Sequence, residues 1–371
     1  MKICHLADTH LGYRNFAKLS DAGINQREAD VYAAFKEAIE RIVELRPDAV
    51  IHAGDLFDSY HPTNRALGVA LDGFRALEHA GIPVIVIGGN HSTPRYTSTG
   101  HVFEVLARFG SVRAVWQEPE RLRISDLAVY AVPHDADAER LEEAIRGAQP
   151  DPKAAYNVLA LHVGLDGLAR VGTGEAGSVS LDAATLEAVG DFDYIALGHL
   201  HAREGVRVNA CYAGSLERLS FAETAKAKGF YEIDFALDAL APGRVRPHDV
   251  TTRPMHDLGL IDGSSEGEPA ERIIAAANGL DLDGALVRCR IAAVSQDRWR
   301  AMDIAAVRRH FSACLHFELR PEFAGTELRA VGAPEDIGSF IAARLQKGEN
   351  AEELTTRAQR LLAEADQAIE P

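Results

Sequence analysis

Two aspartates, one asparagine and five histidines stand just beyond five short apolar runs of this chain. The run 3–7 leads to Asp8 and His10, and the run 50–54 leads to Asp55. The run 84–89 leads to Asn90 and His91, 158–161 to His162, and 194–198 to His199 and His201. Singly these are weak signals, because a polar pair after a strand or a Gly-Asp step is ordinary turn chemistry. Five in succession point to metal binding. His199-x-His201, if extended, puts two imidazoles on one side of the backbone. Imidazole, carboxylate and amide donors without thiolate suit Mn, Fe or Zn rather than an iron–sulfur cluster. Asp8, His10, Asp55, Asn90, His162, His199 and His201 are too many donors for one ion, so the pattern implies two ions sharing a carboxylate. Paired ions sit about 3.5–4 Å apart, clamp the attacking and leaving oxygens of a phosphoryl displacement and lower the pKa of bound water.

The elements that must position these residues are short Val/Ile/Leu-rich runs, which read as buried strands. Ligands gather beyond the carboxyl ends of such strands in open α/β sheets, so the expectation is one sheet edge carrying all eight residues. Between the runs, Asn25 is placed to cap a helix with Glu28 as its capping-box partner. Val31, Phe35, Ile39 and Ile42 continue that helix at helical spacing, and Pro47 follows its end. Further helices are expected over 64–80, 99–109 and 141–148, and strands over 112–116, 127–132, 206–212 and 229–235.

Pro242-Gly243 marks the first credible boundary. Beyond it the pattern alternates strand (245–250), helix (269–278), strand (285–292), helix (297–311) and strand (315–319), and from Pro334 it is helical to the end. The expected plan is residues 1–241 as the metal domain, 242–333 as a smaller α/β module and 334–371 as a helical segment. In the last, Leu354, Ala358, Leu361, Leu362 and Ala365 form an apolar stripe that either docks a partner, the favoured reading, or packs on its own domain.

With 371 residues the chain is long for one core. A formal charge of −16 argues against holding nucleic acid on a general basic surface. Two divalent cations would reverse the potential locally, so a nuclease is not excluded. No apolar run reaches membrane-spanning length, and the N-terminus enters a strand without a signal-peptide pattern. The four cysteines are dispersed, which fits reduced thiols in a cytoplasmic protein.

In order and spacing, Asp8-x-His10, Gly54-Asp55, Gly89-Asn90-His91, His162 and Gly198-His199-x-His201 resemble the calcineurin-like metallophosphoesterase superfamily, over about the first 235 residues. The resemblance implies an α/β fold: a β-sandwich flanked by helices, followed by a smaller α/β capping domain and C-terminal helices. It assigns Asp8, His10, Asp55 and His201 to one metal, and Asp55, Asn90, His162 and His199 to the other. His91 would stand beside the ions, steadying the transition state or protonating the leaving oxygen.

His10-Leu11-Gly12-Tyr13, Gly54-Asp55-Leu56-Phe57-Asp58 and Gly214-Ser215-Leu216-Glu217-Arg218 resemble the nuclease subunit of the double-strand-break repair complex in its bacterial SbcD-type form. That implies two Mn2+ (with Mg2+, Fe or Zn possible), exonuclease action on DNA duplex ends and endonuclease action on hairpins and single strands. It also implies a homodimer, and docking of the C-terminal helices on an SbcC-type coiled-coil ATPase. Some relatives carry a histidine directly after the Gly-Asp-Leu-Phe motif where this chain has Asp58, so Asp58 or His61 is expected behind the ligands. Two rival functions share the ligands: hydrolysis of small phosphodiesters or phosphoproteins, and non-catalytic scaffolding of an ATPase.

Other features have plainer readings. Tyr13, Arg14 and Lys18 are candidates for DNA phosphate or base contact, or equally an ordinary solvated loop. Gly172-x-Gly174-x-x-Gly177 spells a dinucleotide fingerprint but does not join a strand directly to a helix, and reads as a loop. His5 and His52 lie inside apolar runs and read as packed strand residues; His134 reads as a loop residue, with lining the site as the alternative. Leu67, Leu71 and Phe74 read as core, and the resemblance leaves part of that stripe or the helix over 101–109 as the alternative dimer interface.

Overall fold

A computed structural model describes residues 1–92, 100–166 and 178–323. The first strands are β1 (Lys2–Leu6), β2 (Ala49–His52), β3 (Val84–Ile87), β4 (Val112–Val115), β5 (Glu120–Ile124), β6 (Leu127–Val132) and β7 (Tyr156–His162). They continue as β8 (Gly164–Leu165), β9 (Ser180–Leu181), β10 (Tyr194–Gly198), β11 (Glu204–Arg207), β12 (Ala210–Tyr212) and β13 (Gly229–Asp234). The last are β14 (Val245–Asp249), β15 (Met255–Asp262), β16 (Leu286–Val294) and β17 (His316–Phe323). The helices are α1 (Gln26–Leu45), α2 (Asn64–His79), α3 (Phe103–Leu106), α4 (Ala138–Arg146), α5 (Pro269–Ala276), α6 (Gln296–Ala301) and α7 (Ile304–His310).

The ligand-bearing strands belong to two sheets, which corrects the single-edge expectation. Sheet one runs β14-β13-β1-β2-β3-β4 and sheet two runs β11-β12-β10-β7-β6-β5. In sheet one, β1 to β4 are parallel neighbours, with β13 antiparallel to β1. In sheet two the parallel set is β12, β10, β7 and β6.

The alternation of side chains explains why the runs are apolar throughout. Ile3, Ile51, Ile85 and Ile87 pack between the sheets against Val129, Val158, Ala160, Tyr194 and Ala196. Cys4, Leu6, Val50, Val84 and Val86 face the other way, onto Val31, Phe35 and Ile39 of α1 and Phe74 and Leu77 of α2. On the far side, Leu159, Leu161, Ile195 and Leu197 pack on Leu141 and Ile145 of α4. A strand sandwiched on both faces reads as continuous apolar text, and each fully buried Val, Leu or Ile contributes about 1.5–3 kcal/mol. The result is a β-sandwich between helical layers.

Local chemistry accounts for most boundaries. Asn25 caps α1, its side chain accepting from the backbone N–H groups of Arg27 and Glu28. Glu28 does not close a capping box. Its fully buried carboxylate instead accepts from Arg14 Nε at 2.7 Å and from the Tyr32 hydroxyl at 2.8 Å. The helix expected over 99–109 is confined to α3, and the expected 297–311 helix is broken into α6 and α7 at Met302, which has extended backbone. The Pro242-Gly243 break is a turn joining β13 to β14 inside sheet one. The segment 334–371 and the glycine-rich motif at 172–177 lie outside the described residues.

By compactness the chain forms two units. One comprises Met1–Gly259, Ala270–Cys289 and Asp303–Leu319; the other comprises Leu260–Pro269, Arg290–Met302 and the described residues from Arg320. Within the first, Phe221, Met255 and Leu286 form a small cluster with Phe16 and Leu315 packed against it. Within the second, Arg298 donates to the carbonyls of Gly263, Ser265 and Gly267, holding that turn.

Candidate metal centre

The loops after β1 and β2 run side by side as a backbone ladder. Asp8 N donates to Gly54 O, His10 N to Asp55 O and Leu11 N to Leu56 O, each at 2.9–3.0 Å. This ladder places Asp8 and His10 beside Asp55. The loops of sheet two are stitched in turn: Val163 N donates to Gly198 O, and His199 N donates to both Asp8 carboxylate oxygens at 2.9 and 3.1 Å. Asp8 thus binds the two sheets together at their carboxyl ends.

Four of the expected ligands sit in left-handed backbone: Asp8 (φ 51), His10 (φ 44), Asp55 (φ 51) and His199 (φ 104). Side-chain-bearing residues rarely adopt that region, and its cost persists where surrounding structure enforces it, commonly at functional sites. Two glycines serve close approach. A Cβ on Gly89 would lie 2.2 Å from Asp55 Oδ1, and one on Gly198 would lie 1.8 Å from Ala53 O. The Gly before Asn90 and the Gly before His199 are therefore there for space.

The side chains converge. His10 Nε2 and His201 Nε2 are 3.1 Å apart, and His162 Nε2 lies 2.9 Å from Asn90 Oδ1 and 3.1 Å from Asp55 Oδ2. His199 Nδ1 is 3.1 Å from the same Asn90 Oδ1. Three sets each bring one ligand atom per residue within 4.8 Å of one another: Asp8, His10 and His201; His10, Asp55 and His91; Asp8, Asp55 and His162. His91 is held from two sides, its N–H donating to Asp55 Oδ1 at 3.0 Å and its Nδ1 to Asp58 O at 2.8 Å.

The donor set fits divalent cations. Asp8 and Asp55 are fully buried, and the buried Asp55 Oδ2 accepts no well-aligned hydrogen bond. Burial pushes Asp8 up to about 6, against the pull of His162 and His201. Burial also opposes ionisation of Asp55, but His162 beside it holds its carboxyl well below the usual range. Burial would lower His162, yet Asp55 and Asp8 carry it up to about 9. Without a cation, this cluster takes up a proton on His162 to balance its carboxylates.

Residues behind the candidate ligands face their outer ring nitrogens. Asp58 Oδ1 lies 3.3 Å from His10 Nδ1, whereas His61 is exposed with its ring 4.2 Å from that of Tyr60. His162 Nδ1 donates to Ala53 O at 2.9 Å. His201 Nδ1 lies 3.4 Å from Glu223 Oε1. Glu223 and its partner Lys228 were not expected from the sequence. The legible signal was Ser220-Phe221-Ala222-Glu223, a capping-box spelling whose reciprocal bonds are both formed.

The remaining candidates fall outside this convergence. The Tyr13 hydroxyl donates to Leu219 O at 2.6 Å, Arg14 pairs with Glu28, and Lys18 is exposed. His5 and His52 are buried strand residues bonded to the Tyr194 hydroxyl (3.0 Å) and the Thr9 hydroxyl (3.1 Å), as their setting implied. His134 lies in the loop after β6, as read, and on the site side of it. It is buried, and its ring stands edge-on to His162 with centroids 6.2 Å apart.

A two-sheet sandwich with an Asp/Asn/His cluster at its carboxyl ends defines a metallophosphoesterase. Residues 1–203 match the calcineurin-like phosphoesterase family, and the chain belongs to that family of metal-dependent hydrolases. It is similar to the DNA double-strand break repair protein Mre11 of Methanocaldococcus jannaschii, 27% identical over 288 residues, covering 75% of this chain and 74% of that protein. To the protein of the same name from Sulfurisphaera tokodaii it is 32% identical over 205 residues, covering 54% of this chain and about half (49%) of that one. To that of Archaeoglobus fulgidus it is 27% identical over 359 residues, covering 89% and 77%. Among the described residues, no helix is long and apolar enough to cross a membrane.

Proposed function

We propose that this protein is a DNA nuclease of double-strand-break repair, hydrolysing phosphodiester bonds with two Mn2+ ions. The observation that carries the reading is Asp55, buried within ligand distance of His10 and His91 from sheet one and of His162 from sheet two. Its relatives named for double-strand-break repair support the choice of DNA. Asp8, His10, Asp55 and His201 would hold one ion, and Asp55, Asn90, His162 and His199 the other. When bound, the ions supply Lewis acidity at the phosphoryl oxygens and a water more easily deprotonated near neutral pH.

The chain's own residues do the rest. Asp55 fixes the spacing of the two sites, and its Oδ1 accepts from His91 N. His91, its Nδ1 committed to Asp58 O, is left with Nε2 to stabilise developing charge or deliver a proton to the leaving oxygen. The reading extends to a homodimer, to residues 242–333 acting as a capping domain that shares β14 with sheet one, and to residues 334–371 docking an SbcC-type coiled-coil ATPase.

The test is cleavage of end-labelled duplex and hairpin DNA with Mn2+, Mg2+ or chelator. Mn2+-dependent shortening of duplex ends is the expected result. Turnover of bis-p-nitrophenyl phosphate without DNA cleavage would move the assignment to small phosphodiesters.

A further inference from the structure

Behind the proposed ligands lies a buried charged group that the reaction does not use directly. Lys228 is fully buried, and its ammonium donates to His201 O at 2.7 Å, to Ser215 Oγ at 2.8 Å and to the Glu223 carboxylate. Glu223, also fully buried, accepts on Oε1 from Ser220 N and Ser220 Oγ, both at 3.0 Å, and faces His201 Nδ1 at 3.4 Å. The pair therefore grips His201 twice, by its backbone carbonyl through Lys228 and by its ring through Glu223.

The other proposed set is supported differently. His162 rests its Nδ1 on a neutral backbone carbonyl, Ala53 O at 2.9 Å, with the Asp8 carboxylate farther off at 3.8 Å, while His10 has the Asp58 carboxylate at 3.3 Å from its Nδ1. Carboxylates thus stand behind both imidazoles of the Asp8/His10/His201 set. A carboxylate behind an imidazole fixes which nitrogen keeps the lone pair and strengthens it as a ligand, and losing such a partner typically costs about 10–100-fold in metal affinity.

We infer that Glu223, anchored by Lys228, is a positioning residue that holds His201 with Nε2 toward the metal and, together with Asp58 behind His10, makes the Asp8/His10/His201 site the tighter of the two. This rests on the two-ion reading above. It assigns unequal affinities to the two sites and locates the cause in residues that touch neither ion.

The experiment is Mn2+ titration by calorimetry on the full chain and on Glu223→Gln. Wild type should bind two ions in separable steps, and Glu223→Gln should lose about 10–100-fold at the tighter step with the weaker one within about twofold. Equal affinities in wild type, or a folded Glu223→Gln with both steps unchanged, would overturn the inference. A wild type that binds no Mn2+ refutes the metal-centre reading itself, an outcome distinct from a selective effect of the variant. Glu223→Gln leaves Lys228 buried without its countercharge and can fail to fold. The charge-neutral pair Glu223→Gln with Lys228→Met carries the same expectation. Independently of any variant's folding, nitrogen NMR of histidine-labelled wild type should show His201 protonated on Nδ1. An unprotonated Nδ1 on His201 would refute the positioning role.

Discussion

Two buried charged clusters in this fold solve the same electrostatic problem in opposite ways. In the first, Arg27 pairs with Asp30 at 2.6 Å and Glu217 at 3.5 Å, and Arg253 adds a second guanidinium to Asp30 at 2.6 Å. Each carboxylate there meets a permanent cation supplied by the chain. In the second, Asp8 and Asp55 face imidazoles, which carry charge only when protonated. The first cluster is closed and belongs to the scaffold. The second is balanced only by taking up protons or cations. Burial of acids thus marks a metal centre only where the protein withholds its own fixed cations.

That contrast can be broken most severely at Asp55. Asp55→Ala should reduce Mn2+-dependent cleavage to background and abolish binding of both ions, measured by nuclease assay and calorimetry. If two ions still bind, Asp55 is not the shared ligand.

His91→Ala should lower kcat about 10²–10⁴-fold while leaving both ions bound. A variant cutting at the wild-type rate would remove His91 from the chemistry.

The closed cluster should show the reverse behaviour. Asp30→Ala takes the shared carboxylate from Arg27 and Arg253, leaving Arg27 with Glu217 alone, and should destabilise the fold by about 3 kcal/mol in urea while leaving the activity of the folded fraction nearly unchanged. Lost activity at full stability would instead tie this cluster to the site.

A smaller effect concerns protons. His162 is carried from an ordinary 6.5 up to about 9 in the metal-free fold, against its burial, by Asp55 and Asp8. A raised folded-state pKa stabilises fully below 6.5, and that contribution is lost as pH climbs through about 9. The metal-free protein should therefore melt progressively lower across that window. Mn2+ must displace the same proton, so its affinity should rise there by up to about tenfold per pH unit. Calorimetry in buffers of different ionisation enthalpy reads the released proton. Binding without proton release would contradict this account.

The convergence of the candidate ligands was legible before any coordinates, because they follow strands whose text is unmistakable. Val84–Ile87, Leu127–Val132 and Tyr194–Gly198 fall where their apolar runs lie, and Asn25 and Thr63 cap their helices by side-chain chemistry written locally. Glu28 was misread because a capping-box spelling also describes a carboxylate drawn away by Arg14 and Tyr32. For His134 the sequence left a loop residue and a residue lining the site as alternatives, because its nearness to His162 comes from His134 N donating to Gly88 O across the fold.

Residue types and their order were enough by themselves to place the long apolar strands and to name the candidate donors beyond them, since periodicity and ligand preference act over a few neighbouring residues. The short strands β5, β8 and β9 and the split of 206–212 into β11 and β12 were not legible. Only the tertiary structure decided that those donors come from two sheets, that Asp8 joins them, that four ligands bear left-handed backbone and that Glu223 stands behind His201. Those outcomes depend on contacts between residues far apart in the chain, and such distances become short only when the two sheets close on a shared core.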